Sequence, residues 1–185
     1  MRAEPVVTIE DATATAVAAA VLAALRRAGR PPHDSRVVIV GADHLPLLCL
    51  VLIATGVGDI ATCNTDDAAV FPLHGITEHA DVLVDLMDLG GPASPAGPVV
   101  VTRDTLDPML VLPGLLHATD GVPVVGLDLA VHQACATALA TVISPGRHRR
   151  PEAEYPIIAL VADTAIRALR RCHPVAPPRE GEVAR

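Results

Sequence analysis

Residues 36–64, RVVIVGADHLPLLCLVLIATGVGDIATCN, constrain the fold more than any other stretch of the chain. Arg36 to Val40 is a short β-branched run that ends at Gly41, and Leu45 to Thr55 is an apolar segment ended by Gly56. That is the pattern of a buried strand followed by a helix with a stop signal. Gly58 to Cys63 supplies the next strand. A strand, turn, helix and strand in this order open a doubly wound α/β fold, where a G-x-G-x-x-G turn lets the backbone approach a pyrophosphate at the helix N-terminus. Here the turn reads Gly41-Ala42-Asp43-His44-Leu45-Pro46, with only the first glycine present. Asp43 brings a side chain and a negative charge close to where the pyrophosphate would lie, and Pro46 removes a backbone donor.

The rest of the chain extends this pattern. Asp11 to Ala28 is rich in helix formers, starts acidic, carries Arg26 and Arg27 in its last turn, and is followed by Gly29, Pro31 and Pro32, so it reads as a helix with both ends marked. Ala80 to Leu86 and Pro98 to Thr102 read as third and fourth strands. The Gly- and Pro-rich LMDLGGPASPAGP between them is no full helix, although a parallel crossover normally contains one. Leu106 to Ala118 is expected as a short helix or packed loop around Pro108 and Pro113. Leu127 to Ile143 and Glu154 to Arg171 read as two further helices, with Pro156 in the first turn of the second, where proline is tolerated. The expected architecture is α/β: a Rossmann-like three-layer fold with a reduced, mostly parallel sheet, one domain over residues 1–173 and a flexible tail over 174–185.

Composition narrows the chemistry. All 14 residues counted as Lys+Arg are arginine, which excludes a Schiff-base lysine, a P-loop lysine and a lysine general base within this sequence. Phe71 and Tyr155 are the aromatic residues, so the core is packed from Ala, Val and Leu. A net charge of -7 argues against nucleic acid as a partner, and the basic cluster Arg147, His148, Arg149 and Arg150 reads as a solvated loop. Cys49, Cys63, Cys135 and Cys172 lack C-x-x-C spacing and read as reduced thiols. His74, His79, Cys172 and His173 lack zinc-ligand spacing, and Ser35, Ser94 and Ser144 suit ordinary loop roles. No segment reads as a signal peptide or a membrane span, and the expected compartment is the cytoplasm.

Four collinear segments resemble the NAD(P)-binding domain of malic enzymes. EDATATAVAAAVLAALRRAG followed by RVVIVGA is similar to the family's DDQHGTA helix and GAGAAG turn. ATGVGDIATCNTDD is similar to its AAGV-strand-CD segment, ADVLVDL to its strand opening with ADV, and LVLPGLLHATDG to its LAFPGIFRGALD. The resemblance implies a dinucleotide at Gly41, Ala42, Asp43, His44 and Leu45, with Asn64 at the ribose-binding position about 20 residues beyond the glycines. Asp66 and Asp67 would then disfavour a 2′-phosphate, so NAD is the implied cofactor. Asp11 falls at the position of one ligand of the family's catalytic divalent metal, and its helix-capping role is the competing reading. The family's other two ligands, its lysine base and its tyrosine acid belong to a region upstream of the matched segments. Asp107 and Pro108 stand where the family has a substrate-binding asparagine pair, and a carboxylate there opposes malate.

The resulting expectation has no catalytic residues of its own and no divalent metal in the isolated chain. It is a malic-enzyme-like, NAD(P)-binding-type domain that does not oxidise malate alone. Two alternatives stay open: one component of a split NAD-dependent oxidoreductase completed by a partner chain, and a structural or regulatory interaction module that no longer binds nucleotide. The small-residue helices and reduced sheet imply a homodimer or partner protein over exposed apolar surface.

Overall fold

The computed structural model describes residues 7–70, 75, 77–89, 97–120, 126–143 and 154–173. Expectations for Phe71, His74, Ser94, Ser144, the basic cluster at 147–150 and the tail at 174–185 lie outside the described residues.

Helix α1, Ile9–Arg27, begins at a reciprocal cap. Thr8 Oγ1 accepts from the Asp11 amide at 3.1 Å while Asp11 Oδ2 accepts from the Thr8 amide at 2.7 Å, pairing donors that the first turn leaves without intrahelical partners. It ends where Gly29 N donates to Arg26 O and Arg30 N to Leu25 O, the paired bonds that close a helix C-terminus. Between these ends α1 is alanine-rich, and every residue from Ala14 to Leu25 is buried. A helix apolar all round belongs inside a fold, and alanine lets its neighbours approach from every side.

Among the described residues four parallel strands form the sheet in the order β2-β1-β3-β4. They are β1 Arg36–Val40, β2 Asp59–Cys63, β3 Val82–Asp85 and β4 Val99–Thr102. Their register aligns Val40 with Cys63 on one side and Asp85 on the other, and Asp85 with Thr102, so four strand ends share one carboxyl edge. Side chains alternate between faces, as the pleat requires. Val37, Ile39, Val82, Val84 and Val101 join the large core with α1, while Val38, Val40 and Cys63 form a smaller cluster on the other face.

Helix α2, Pro46–Ala54, links β1 to β2, and α3, Thr65–Val70, follows β2. The connection from β1 to β2 steps one way across the sheet and that from β2 to β3 steps back. Right-handed crossovers therefore put α2 and α3 on opposite faces. The result is a three-layer, Rossmann-like α/β fold with a reduced sheet. The described parts of the β3–β4 connection, 86–89 and 97–98, contain no helix, in keeping with its glycines and prolines.

The segment around Pro108 and Pro113 resolves into a 3₁₀ turn, Pro108–Leu110, and helix α4, Leu112–Thr119. Helices α5, Leu129–Val142, and α6, Glu154–Cys172, complete the helical layer, with α5 against α1, and α6 against both α4 and α5. Gly114 is where α4 meets α6: a Cβ there would lie 2.7 Å from Ile158 O and 2.7 Å from Val161 Cβ. Among the described residues no helix is long and apolar enough to cross a membrane.

Candidate functional site

Strand order reverses between β1 and β3, and in open α/β sheets ligands bind outside the carboxyl ends of the strands at such a switch point. The turn after β1 occupies that place. Gly41 has φ 76 and ψ 37, a left-handed conformation natural to glycine. A Cβ there would also meet Met87 Cγ at 2.6 Å. Met87 follows β3 and is held back over the turn by its amide, which donates to Asp85 Oδ1 at 3.0 Å.

In a phosphate-gripping turn the amides must be free to face the anion. Here Gly41 N donates to Cys63 O at 2.7 Å, His44 N to Gly41 O at 2.9 Å and Leu45 N to Ala42 O at 3.2 Å. Ala42–His44 forms a 3₁₀ turn, and α2 restarts only at Pro46, with no side-chain cap from Leu45. The position that would open the helix toward a phosphate is thus a proline with no N–H.

Asp43 points across to the segment after β2. Its Oδ1 accepts from Thr65 N at 3.1 Å and its Oδ2 from Thr65 Oγ1 at 2.9 Å. The Thr65 hydroxyl bond is the main reason its carboxyl is held below the usual range. His44 Nε2 lies 3.2 Å from the same hydroxyl, and His44 O accepts from Arg103 Nη2 at 3.2 Å. Arg103 Nε is buried without a hydrogen-bond partner among the described residues. Ala42 is half-buried, Leu45 buried and Asn64 exposed, the Asn64 amide donating to Asp67 Oδ2 at 3.3 Å. The structure therefore gathers Gly41, Asp43, His44 and the Asn64 segment at one edge and adds Thr65, Met87 and Arg103. As folded, this turn does not fit a dinucleotide pyrophosphate, because the Gly41, His44 and Leu45 amides are engaged internally, Pro46 has no N–H, and the Asp43 carboxylate projects from it.

Asp11 lies apart from that turn in sequence and role. Its Oδ2 accepts from Thr8 N and Thr8 Oγ1, each at 2.7 Å, and its Oδ1 lies 3.4 Å from His132 Nε2. Among the described residues no group of three or more His, Cys, Asp or Glu could hold a metal ion. His132 is the residue sequence reasoning passed over. It is 1% exposed, and its Nδ1 lies 2.9 Å from Thr15 Oγ1. Burial pushes its pKa down and Asp11 pulls it partly back. Carboxylate, imidazole and hydroxyl in line is the order of a nucleophilic relay, but Thr15 is 0% exposed, so no substrate reaches it. His132 shares the buried stripe of α5 with Val131, Cys135, Ala136 and Leu139, and that helical spacing was the available signal.

Asp107 caps the 3₁₀ turn, its Oδ1 accepting from Met109 N at 2.9 Å. Tyr155 is 81% exposed. Cys63 and Cys135 are buried, Cys49 half-buried and Cys172 exposed, all as free thiols, and burial pushes Cys135 to about 12. His79 stands on the surface, and His173 Nε2 pairs with Asp128 Oδ2 at 2.8 Å. An open groove of about 490 Å³ between α5 and α6, lined by Ala134, Ala138 and Arg171 among others, lies away from the carboxyl edge.

The fold defines a Rossmann-like α/β domain. No family model matches the chain, and no curated protein matches it significantly. Among solved structures it is similar to the malic enzyme from Pyrococcus horikoshii Ot3, with a TM-score of 0.61 at 16% identity. The match covers 88% of this chain and 55% of that one, so the chain spans about half the length of the enzyme it resembles. At this identity the likeness is one of fold.

Proposed function

We propose that this chain is a malic-enzyme-like domain that acts by binding and does not oxidise malate by itself. Its carboxyl edge between β1 and β3 stands where such a fold places its nucleotide crevice, and NAD is the cofactor that the family resemblance implies there, although the turn as folded does not receive the pyrophosphate. The observation that carries the reading is the engagement of Asp11, the one residue at a metal-ligand position of that family. One carboxylate oxygen takes two bonds from Thr8 and the other faces His132, a helix-start role that leaves little for a hard cation wanting several oxygens. The sequence contains no lysine to serve as base, and Tyr155 points to solvent.

The test is an assay of the purified chain with malate, NAD or NADP and Mn²⁺, alongside thermal melts with and without Mn²⁺. The expected result is no reduced cofactor and no shift of the melting point by the metal. Turnover by the chain alone would overturn the proposal. A Mn²⁺-dependent rise in the melting point that disappears in Asp11→Asn would instead favour a split oxidoreductase completed by a partner chain.

An interaction role is supported by α2. Its sequence, PLLCLVLIA, has no polar side chain, yet Leu50 is 53% and Ile53 58% exposed. Apolar helix surface left open in this way marks a place for a partner, and a second copy of the chain is the occupant proposed.

A further inference from the structure

We infer that the carboxyl edge is closed by the chain itself, the Asp43 carboxylate held by Thr65 forming an internal clasp that keeps a phosphate-bearing nucleotide out of the crevice. The inference rests on reading that edge as the nucleotide crevice and names what regulates access to it.

The clasp spans the gap a nucleotide would need. Asp43 sits at the second glycine position of the turn, where backbone and pyrophosphate would come closest. Thr65 follows the end of β2, beside Asn64 at the ribose-binding position. Two bonds, from Thr65 N at 3.1 Å and Thr65 Oγ1 at 2.9 Å, tie one to the other. The carboxylate thus ties the turn to the segment after β2, and its charge opposes any phosphate brought near it. The hydrogen bonds that hold it also favour its ionised form, so the clasp keeps its charge at neutral pH.

Two further contacts brace the same turn. Arg103, after β4, donates to His44 O at 3.2 Å, and Met87, after β3, rests against Gly41. Met87 is an unbranched thioether that can swing aside at little cost. A charged carboxylate with two directional bonds cannot do so without losing them. Asp43 is therefore the residue whose removal opens the crevice.

The experiment is calorimetric titration of the full chain with NADH and separately with ADP, for the native protein, Asp43→Gly and Asp43→Asn. Hydrogen exchange at the Thr65 amide is measured on the same proteins. The native chain is expected to bind neither probe below millimolar concentrations. Asp43→Gly should tighten NADH by about tenfold or more, since a charge-assisted contact and a like-charge repulsion are both removed. Asp43→Asn, which keeps the bulk and loses the charge, should fall between the two. The Thr65 amide should exchange faster in Asp43→Gly than in the native chain. Native binding as tight as that of Asp43→Gly, no gain in either variant, or an unchanged Thr65 exchange rate would each overturn the clasp. Native NADH binding without malate turnover would sink the clasp alone, whereas malate turnover by the native chain would sink the proposed function.

Discussion

Thr15 Oγ1 has one proton and two acceptors within reach: Asp11 O at 2.8 Å and His132 Nδ1 at 2.9 Å. If it donates to His132, the neutral imidazole keeps its own proton on Nε2, facing Asp11 Oδ1 at 3.4 Å. That arrangement satisfies a buried ring without a buried cation, which burial in an apolar helix layer disfavours. Asp11 is the charged group that acts on His132, and its pull is smaller than the effect of burial, so the folded pKa lies below the ordinary value of 6.5. Between the folded and the unfolded pKa the unfolded chain binds more protons, so stability falls as pH is lowered through that window. This contribution is complete above about pH 6.5 and is lost as pH drops toward and through the depressed folded value. Urea midpoints at pH 7.5 and 5.5 should therefore differ more for the native chain than for His132→Gln, which cannot titrate. Equal differences in the two proteins would show that His132 does not carry the acid sensitivity.

Helix α1 is the element around which the others are arranged, and its start is fixed by two side chains. Thr8 and Asp11 satisfy each other's backbone amides, and Asp11 also faces His132 on α5, so the helix start and the α1–α5 contact share a residue. Removing the hydroxyl leaves the Asp11 amide without its acceptor and strips Asp11 of one donor. Thr8→Ala should lower the free energy of unfolding by about 1 kcal/mol, the usual worth of an N-cap. Denaturant titration measures it, and a loss well under half that size would mean that water replaces the cap. Asp11 therefore has a structural explanation that is complete within α1 and α5.

At the scale of the molecule, a parallel sheet needs both faces covered, and the described residues cover the two faces unequally. The large cluster contains α1, α2 and the C-terminal helices, while the second face shows a small cluster around Val38, Val40 and Cys63. Helix α2 carries apolar residues on its buried and open sides alike. A closed dimer would place the same patch on both subunits. Light scattering across a concentration series should show the native chain rising toward twice its monomer mass, and Leu50→Glu combined with Ile53→Glu should hold it at monomer mass. Both residues are more than half exposed, so the double change should leave the melting point nearly unaltered. A native chain that stays monomeric throughout the series would remove the dimer.

The elements themselves were legible because local patterns are enough to specify them. A β-branched run ending at Gly41, a stretch of helix formers with an acidic start and arginines in its last turn, and glycines at turns mark α1, β1, α2 and β2 to within a residue or two. That the described parts of the connection after β3 contain no helix is in keeping with its glycines and prolines. The sequence alone also removed lysine chemistry, since no fold supplies a residue that is absent. What it left open was geometry. Asp43 could be seen as a charge in a phosphate turn, but not as a carboxylate bonded to Thr65, because those residues belong to separate strand ends that only the parallel register of β1 and β2 brings together. Arg103, Met87 and His132 went unread for the same reason: each acts on a residue distant in sequence, and such pairings exist only once the sheet order and the helix packing have been chosen. Local propensity decided which elements form; the tertiary structure decided that the Gly41, His44 and Leu45 amides bond inward, that Asp11 serves His132 and Thr8, and that the Asp43 carboxylate is bonded to Thr65.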